Sequence, residues 1–157
     1  MMTEASPSRI VADADVLAAD LLVGGVTREA LDHVRRHSWL TLLASDQLLA
    51  DTEAIVAELG GPDLAAAHRE RLEAATERIE HPAGDHPALA TAYHGGAAHL
   101  LSDDDSLRSP AAGLSIQPHA DLSVRPPDAF ARLFDPASLY GAVVGGEYPG
   151  PDRDPWA

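Results

Sequence analysis

Ile10-Val11-Ala12-Asp13-Ala14-Asp15-Val16-Leu17 is an apolar run that breaks into acids and then resumes. Arg9 to Ala14 reads as a buried strand, and Val16 to Leu22 as a short helix stopped by Gly24-Gly25. A carboxylate set inside such a run is costly to bury without partners, so Asp13 calls for a polar role. The pattern returns in His99-Leu100-Leu101-Ser102-Asp103-Asp104-Asp105-Ser106-Leu107, where a strand over Ala98 to Leu101 again ends in acids. In an open α/β sheet, sites lie outside the carboxyl ends of the strands, so acids at these ends are expected in one crevice. Asp51 and Asp85, each near the start of a helix, extend the set to Asp13, Asp51, Asp85 and Asp104. Grouped and unpaired they repel one another, and a hard cation such as Mg²⁺ or Mn²⁺ relieves that repulsion.

Working outward, helical and strand-like periods alternate. Thr27 is expected to cap a helix through His37 with Ala30, Leu31 and Val34 on its apolar face, followed by a strand over Trp39 to Ala44. Ser45 is expected to cap a helix ending at Gly60-Gly61, and Pro62-Asp63 opens another that runs to about Ile79. Asp85 is expected to cap a helix through His94 that Gly95-Gly96 ends. Leu114 to Ile116 and Leu122 to Val124 read as short strands, and Pro127 to Phe134 as a last amphipathic helix. Strands separated by helices point to βαβ units, hence an α/β fold: a three-layer α/β/α sandwich around a mostly parallel sheet.

The chain has 157 residues, 45% of them hydrophobic, which suits one domain with a real core. It has no cysteine, which removes disulfides, thiolate zinc sites and cysteine nucleophiles, and leaves oxygen and imidazole chemistry. No apolar run approaches the roughly 20 residues that span a bilayer, and residues 1–8 lack the basic and apolar regions of a signal peptide, so a cytoplasmic protein is expected. All 11 basic residues are arginine; against 25 acids they leave a net charge of −14. This lysine-free, acidic, alanine-rich composition resembles that of proteins from salt-accumulating archaea. At low salt such a charge repels nucleic acid, whereas in molar salt the Debye length falls to roughly 3 Å and only local contacts count.

Three segments carry a resemblance to PIN-domain nucleases. Val11-Ala12-Asp13-Ala14-Asp15-Val16-Leu17 resembles the first strand of that family, where an Asp, a small residue and an Asn or Asp lead into a helix. Asp85 to Ala92 and Gly95 to Asp104 are similar to its second half: an acid heading an alanine-rich helix, a strand, then Ser or Thr and Asp. Pro126-Pro127-Asp128-Ala129-Phe130 resembles its closing motif. The match spans about Arg9 to Phe134, and it implies a flexible N-terminus at 1–8, a PIN-like domain over 9–136 and a Gly/Pro/acidic tail over 137–157. Asp13 matches the first acid of the family, Asp85 the third and Asp104 the fourth. The second acid is usually Glu, one to two turns into the helix after the second strand; here the match is Asp51, with Glu53 and Asp46 as competitors. Asp15 matches the frequent Asn beside the first acid, and Ser102 the hydroxyl before the last.

The resemblance implies a metal-dependent ribonuclease using one or two Mg²⁺ or Mn²⁺ ions and leaving 5′-phosphate and 3′-hydroxyl ends. RNA is the implied substrate, with a homodimer or an antitoxin as possible partners and no membrane association. Two other readings stand beside it: a PIN fold that binds RNA or protein without turnover, and the toxin of a toxin and antitoxin pair. A phosphatase or receiver domain fits poorly, since the chain lacks the lysine that receivers need. His33 and His37, four apart on one helix, have no evident third zinc ligand, and His81/His86 and His94/His99 are five apart, splayed by roughly 140° on a helix. Arg35, Arg36, Arg108 and Arg125 are candidates for phosphate contact, with ion pairing to acids as their ordinary use. In the tail, Tyr140, Val143, Val144, Tyr148 and Trp156 are expected to act as anchors of a packing strap.

Overall fold

The computed structural model describes residues 6–83, 86–104, 107 and 122–154. Strands β1 (Ser6–Ala12), β2 (Thr41–Ala44), β3 (Glu77–Arg78), β4 (Ala97–Leu101) and β5 (Ser123–Arg125) form one sheet in the order β3-β2-β1-β4-β5, all parallel. Helices α1 (Ala14–Leu22), α2 (Gly25–Arg35), α3 (Asp46–Gly60), α4 (Pro62–Ala75), α5 (Pro87–Gly95), α6 (Pro127–Leu133) and α7 (Pro136–Val143) flank it, giving a three-layer α/β/α sandwich. A central parallel strand is covered on both faces and therefore reads as a continuous apolar run. Ile10, Val11 and Ala12 are accordingly among the most buried residues of the chain, in a core shared with Leu43, Leu100, Leu101 and the inner faces of α1, α2 and α3. From β1 the chain proceeds to β2 on one side, while β4 docks on the other. The order of strands thus reverses at β1, which places a crevice at the carboxyl ends of β1 and β4.

Local chemistry accounts for the boundaries. Ser45, fully buried, caps α3 by accepting the Leu48 N–H at 3.2 Å, and Gly96, at φ +67°, closes α5 in the left-handed conformation that its lack of Cβ permits. Thr27 does not cap α2. Gly24 and Gly25 both have positive φ, so the chain turns out of α1 directly into a helix whose cap position is Gly24, three residues before Thr27. Instead of a side-chain cap there, Arg28 donates to the Asp20 and Leu21 carbonyls at the end of α1. The cap of α5 is His86, whose Nδ1 accepts the Ala88 N–H at 3.2 Å, in place of the expected Asp85; Asp85 itself lies outside the described residues, as do Leu114 to Ile116.

Two elements differ from expectation. Helix α4 stops at Ala75 rather than near Ile79, because Thr76 turns extended and Glu77-Arg78 pair with Leu43-Ala44 as β3. That strand is exposed and held by charge: Glu77 pairs with Arg9 and Arg78 with Asp46. It therefore carries no apolar signal. Residues 136–143 form α7, with Pro136 in its first turn and Asp135 accepting the Ser138 N–H, so the expected tail begins as a helix. Beyond it the chain straps back over the end of α2. Asp152 accepts the Ser38 N–H at 2.7 Å, and the Asp152 and Arg153 N–H groups both donate to the Arg36 carbonyl. His37 is buried, with Nδ1 donating to the His33 carbonyl, which leaves Nε2 to accept from the Tyr148 hydroxyl at 2.6 Å. Both nitrogens being used, His37 is a packing residue and not half of a zinc pair. Trp156 lies outside the described residues.

Ser45 also meets His81 Nε2 at 2.9 Å, so its hydroxyl serves two partners in a fully buried position. Ser45→Ala is expected to cost about 1 kcal/mol, lowering the melting temperature by roughly 2–4 °C, with Ser45→Thr recovering most of the loss; thermal melts of the three proteins check it.

Candidate functional site

Asp13 follows β1 immediately and caps α1, a placement that fixes both carboxylate oxygens. Oδ1 accepts the Ala14 N–H at 2.8 Å and Oδ2 accepts from the Ser102 hydroxyl at 2.9 Å. The residue is only 7% exposed, so these bonds are what allow a carboxylate to sit there. Ser102 ends β4 and is fully buried; its backbone N–H donates to the Arg125 carbonyl, and its Oγ accepts the Asp104 N–H at 3.0 Å. One hydroxyl therefore ties the first acidic segment to the last. His86 Nε2 lies 3.9 Å from Asp13 Oδ2. Because its Nδ1 accepts a hydrogen bond, a neutral His86 carries its proton on Nε2, facing the carboxylate. The signal for this was the proline at 87, which marks the first helical position and so makes residue 86 the cap.

Asp13, Asp15, Asp51 and Asp104 line one cavity of about 440 Å³ whose remaining wall is Ala14, Ala54 and Ile55. Among the described residues no arginine lines it. Asp51 reaches it because α3 turns Leu48, Leu49, Thr52 and Val56 into the core, leaving Asp51, Ala54 and Ile55 toward the crevice. The competing acids on α3 are engaged elsewhere: Glu53 pairs with Arg69 at 2.9 Å, and Asp46 with Arg78. Among the described residues Asp51 has no ion pair. The structure thus brings together Asp13, Asp15, Asp51 and Asp104, with Ser102 as their link, and leaves Glu53 and Asp46 facing arginines.

Electrostatics follow from this grouping. Burial pushes the Asp15 carboxyl above an aspartate's usual value of 3.8, and the charge of Asp13 adds to it; the Val16 N–H opposes, while Asp103 and Asp104 raise it further. The donor set is oxygen throughout, which is what Mg²⁺ or Mn²⁺ takes. Among the described residues no three carboxylate or imidazole groups close on one point to hold a metal ion, and Asp85 lies outside them. The candidate phosphate contacts fare differently: Arg35 is drawn into bidentate pairing with the buried Asp20 and also bonds Asp32, while Arg108 is outside the described residues.

A carboxyl whose folded pKa is raised favours the folded state least when ionised. Its contribution is fully present below the unfolded value of about 3.8 and is lost as pH rises through the higher folded value. Asp15→Asn keeps the acceptor for the Val16 N–H and removes the charge. It is expected to raise the melting temperature of the metal-free protein at pH 7, with the difference vanishing below pH 3.8; melts across pH check the sign.

No curated protein and no solved structure matches the chain. A family model matches residues 4–156, nearly the whole length, and on that match the chain belongs to the family described as Family of unknown function (DUF7384).

Proposed function

We propose that the chain is a metal-dependent ribonuclease of the PIN type. The observation that carries the reading is that Asp13, Asp15, Asp51 and Asp104, drawn from three separate segments, line one cavity with no arginine among the described residues of its wall. That cavity sits where the strand order reverses, the usual place for a site in a parallel α/β sheet. The sequence motifs around Asp13, Ser102 and Asp104 support the same family. RNA is the proposed substrate, and a salt-accumulating archaeal cytoplasm the proposed setting.

In this reading Asp13 and Asp104 hold a Mg²⁺ or Mn²⁺ ion directly, Asp85 directly or through water, and Asp51 orients water or serves a second ion. When bound, the ion supplies a more acidic water and a sink for charge on the phosphoryl and leaving oxygens. The chain's own part is positional. The Ser102 hydroxyl and the Ala14 N–H each occupy one lone pair of Asp13 and leave others free, so the carboxylate is oriented without being consumed. The Ser102 bond to the Asp104 N–H holds the second segment at a fixed offset from the first. The grouped carboxylates repel a phosphodiester, so RNA approaches only once their charge is offset.

Labelled RNA incubated with Mn²⁺ in molar KCl tests this. Wild type is expected to cleave to 5′-phosphate ends, Asp13→Asn to lose the activity, and Asp51→Asn to lose roughly 10–100-fold. Asp46→Asn and Glu53→Gln, whose native side chains face arginines, are expected to match wild type. A wild type that binds Mn²⁺ and leaves RNA intact identifies a binding module instead.

A further inference from the structure

A second cavity, of about 480 Å³, opens at the other end of the sheet. Thr41 and Leu42 at the start of β2, and Thr76 and Glu77 at the start of β3, line it, so it faces the amino ends of those strands. Among the described residues none lines both this cavity and the one holding Asp13. Its chemistry differs, because Arg35, Arg71, Arg153 and His68 border it together with Asp20, Glu77 and Asp154.

The chain has 11 arginines against 25 acids, so which arginines remain outside ion pairs decides where an anion can be held. Arg9, Arg28, Arg35, Arg69 and Arg78 all form ion pairs within 4.0 Å. Among the described residues Arg36, Arg71, Arg125, Arg132 and Arg153 form none within 4.0 Å, and of these Arg71 and Arg153 border this hollow, Arg153 with Asp152 as its charged neighbour. Two of the acids on the same wall are already engaged, Asp20 by Arg35 and Glu77 by Arg9. His68, only 4% exposed, has a buried Nδ1 without a hydrogen-bond partner. Burial lowers its pKa below the usual 6.5; Asp20 opposes this, and the charges of Arg71 and Arg35 reinforce it. The ring is therefore neutral, and the positive charge of the wall comes from the arginines alone. Leu40, Leu42 and Leu72 supply an apolar side. A volume within the roughly 300–1,000 Å³ of small-molecule pockets, with an apolar wall and a few convergent polar groups, is the usual form of a ligand site.

We propose that this cavity binds a small organic phosphate of nucleoside-monophosphate size, its phosphate on Arg71 and Arg153 and its body against Leu40, Leu42 and Leu72. Two guanidinium groups match a dianionic phosphate, which accepts paired N–H donors from each fork. The site is independent of the acidic cavity and of any nuclease activity.

Adenosine monophosphate, inorganic phosphate and adenosine are the probes, read by thermal shift and calorimetry on the full chain in molar KCl. The monophosphate is expected to raise the melting temperature, with phosphate weaker and adenosine weaker still. The double variant Arg71→Ala, Arg153→Ala is expected to weaken monophosphate binding by roughly tenfold or more. Both arginines are exposed and without ion pairs among the described residues, so the ligand-free melt of that variant should match wild type. Asp13→Asn with Asp104→Asn is expected to leave binding unchanged. No shift with monophosphate or phosphate, equal binding by the arginine variant, or adenosine binding as tightly as its monophosphate would each overturn the assignment. So would loss of binding in the aspartate variant, which would move the ligand to the acidic cavity.

Discussion

The hydrogen bond from the Ser102 hydroxyl to Asp13 Oδ2 spans 89 residues of sequence and joins the ends of the two strands that flank the reversal of strand order. A carboxylate this enclosed is tolerable only when its oxygens are satisfied, and here one is met by the helix that Asp13 itself caps and the other by the neighbouring strand's last turn. The bond needs β1 and β4 in their observed register, Ile10 beside His99 and Ala12 beside Leu101. A slip of one residue would carry Asp13 and Ser102, which directly follow the two strands, out of step with each other and break the bond. The apolar run that makes β1 central is thus also what fixes the geometry of the acidic cavity.

Charge is distributed with similar economy. The buried Asp20 receives a two-pronged pair from Arg35, and Arg69 bridges Glu53 on α3 to Glu73 on α4. Exposed pairs of this kind contribute little singly, on the order of 0–1 kcal/mol, but they settle which acids are left over. Arg69 and Arg78 occupy the acids on one side of α3, and Asp51 on another side remains for the crevice. Selection among carboxylates is made by arginines lying outside the cavity.

Much of this arrangement is legible in the residues, because it depends on backbone periodicity and on local caps. The β1 run, the Ser45 cap, the glycines closing α3 and α5, and the convergence of Asp13, Asp51 and Asp104 on one end of the sheet all follow from pattern and topology. What escapes is set by partners distant in sequence. Strand β3 is two exposed charged residues whose pairing depends on Arg9 and Asp46. Helix α7 and the strap behind it lie in a Gly- and Pro-rich segment whose order comes from docking on Arg36, His37 and Ser38, none of which is visible from the tail itself. The Thr27 cap fails because two successive glycines adopt positive φ, a local freedom that overrides the side-chain preference.

The central place of β1 has a consequence for how the chain comes to be assembled during synthesis. Arg9 to Val11 meet Thr41 to Leu43 across a much shorter stretch of chain than the one that leads to Ala97 to Leu101, so closing the first loop costs less entropy than closing the second. The opposite edge of β1 is covered only by Ala97 to Leu101, which leave the ribosome later than β2 does. Until they pair, Asp13 stands without its hydroxyl partner beside an open strand edge. Because the cavity needs Ser102 and Asp104 as well as Asp13, a nascent chain cannot hold it until both later residues have emerged.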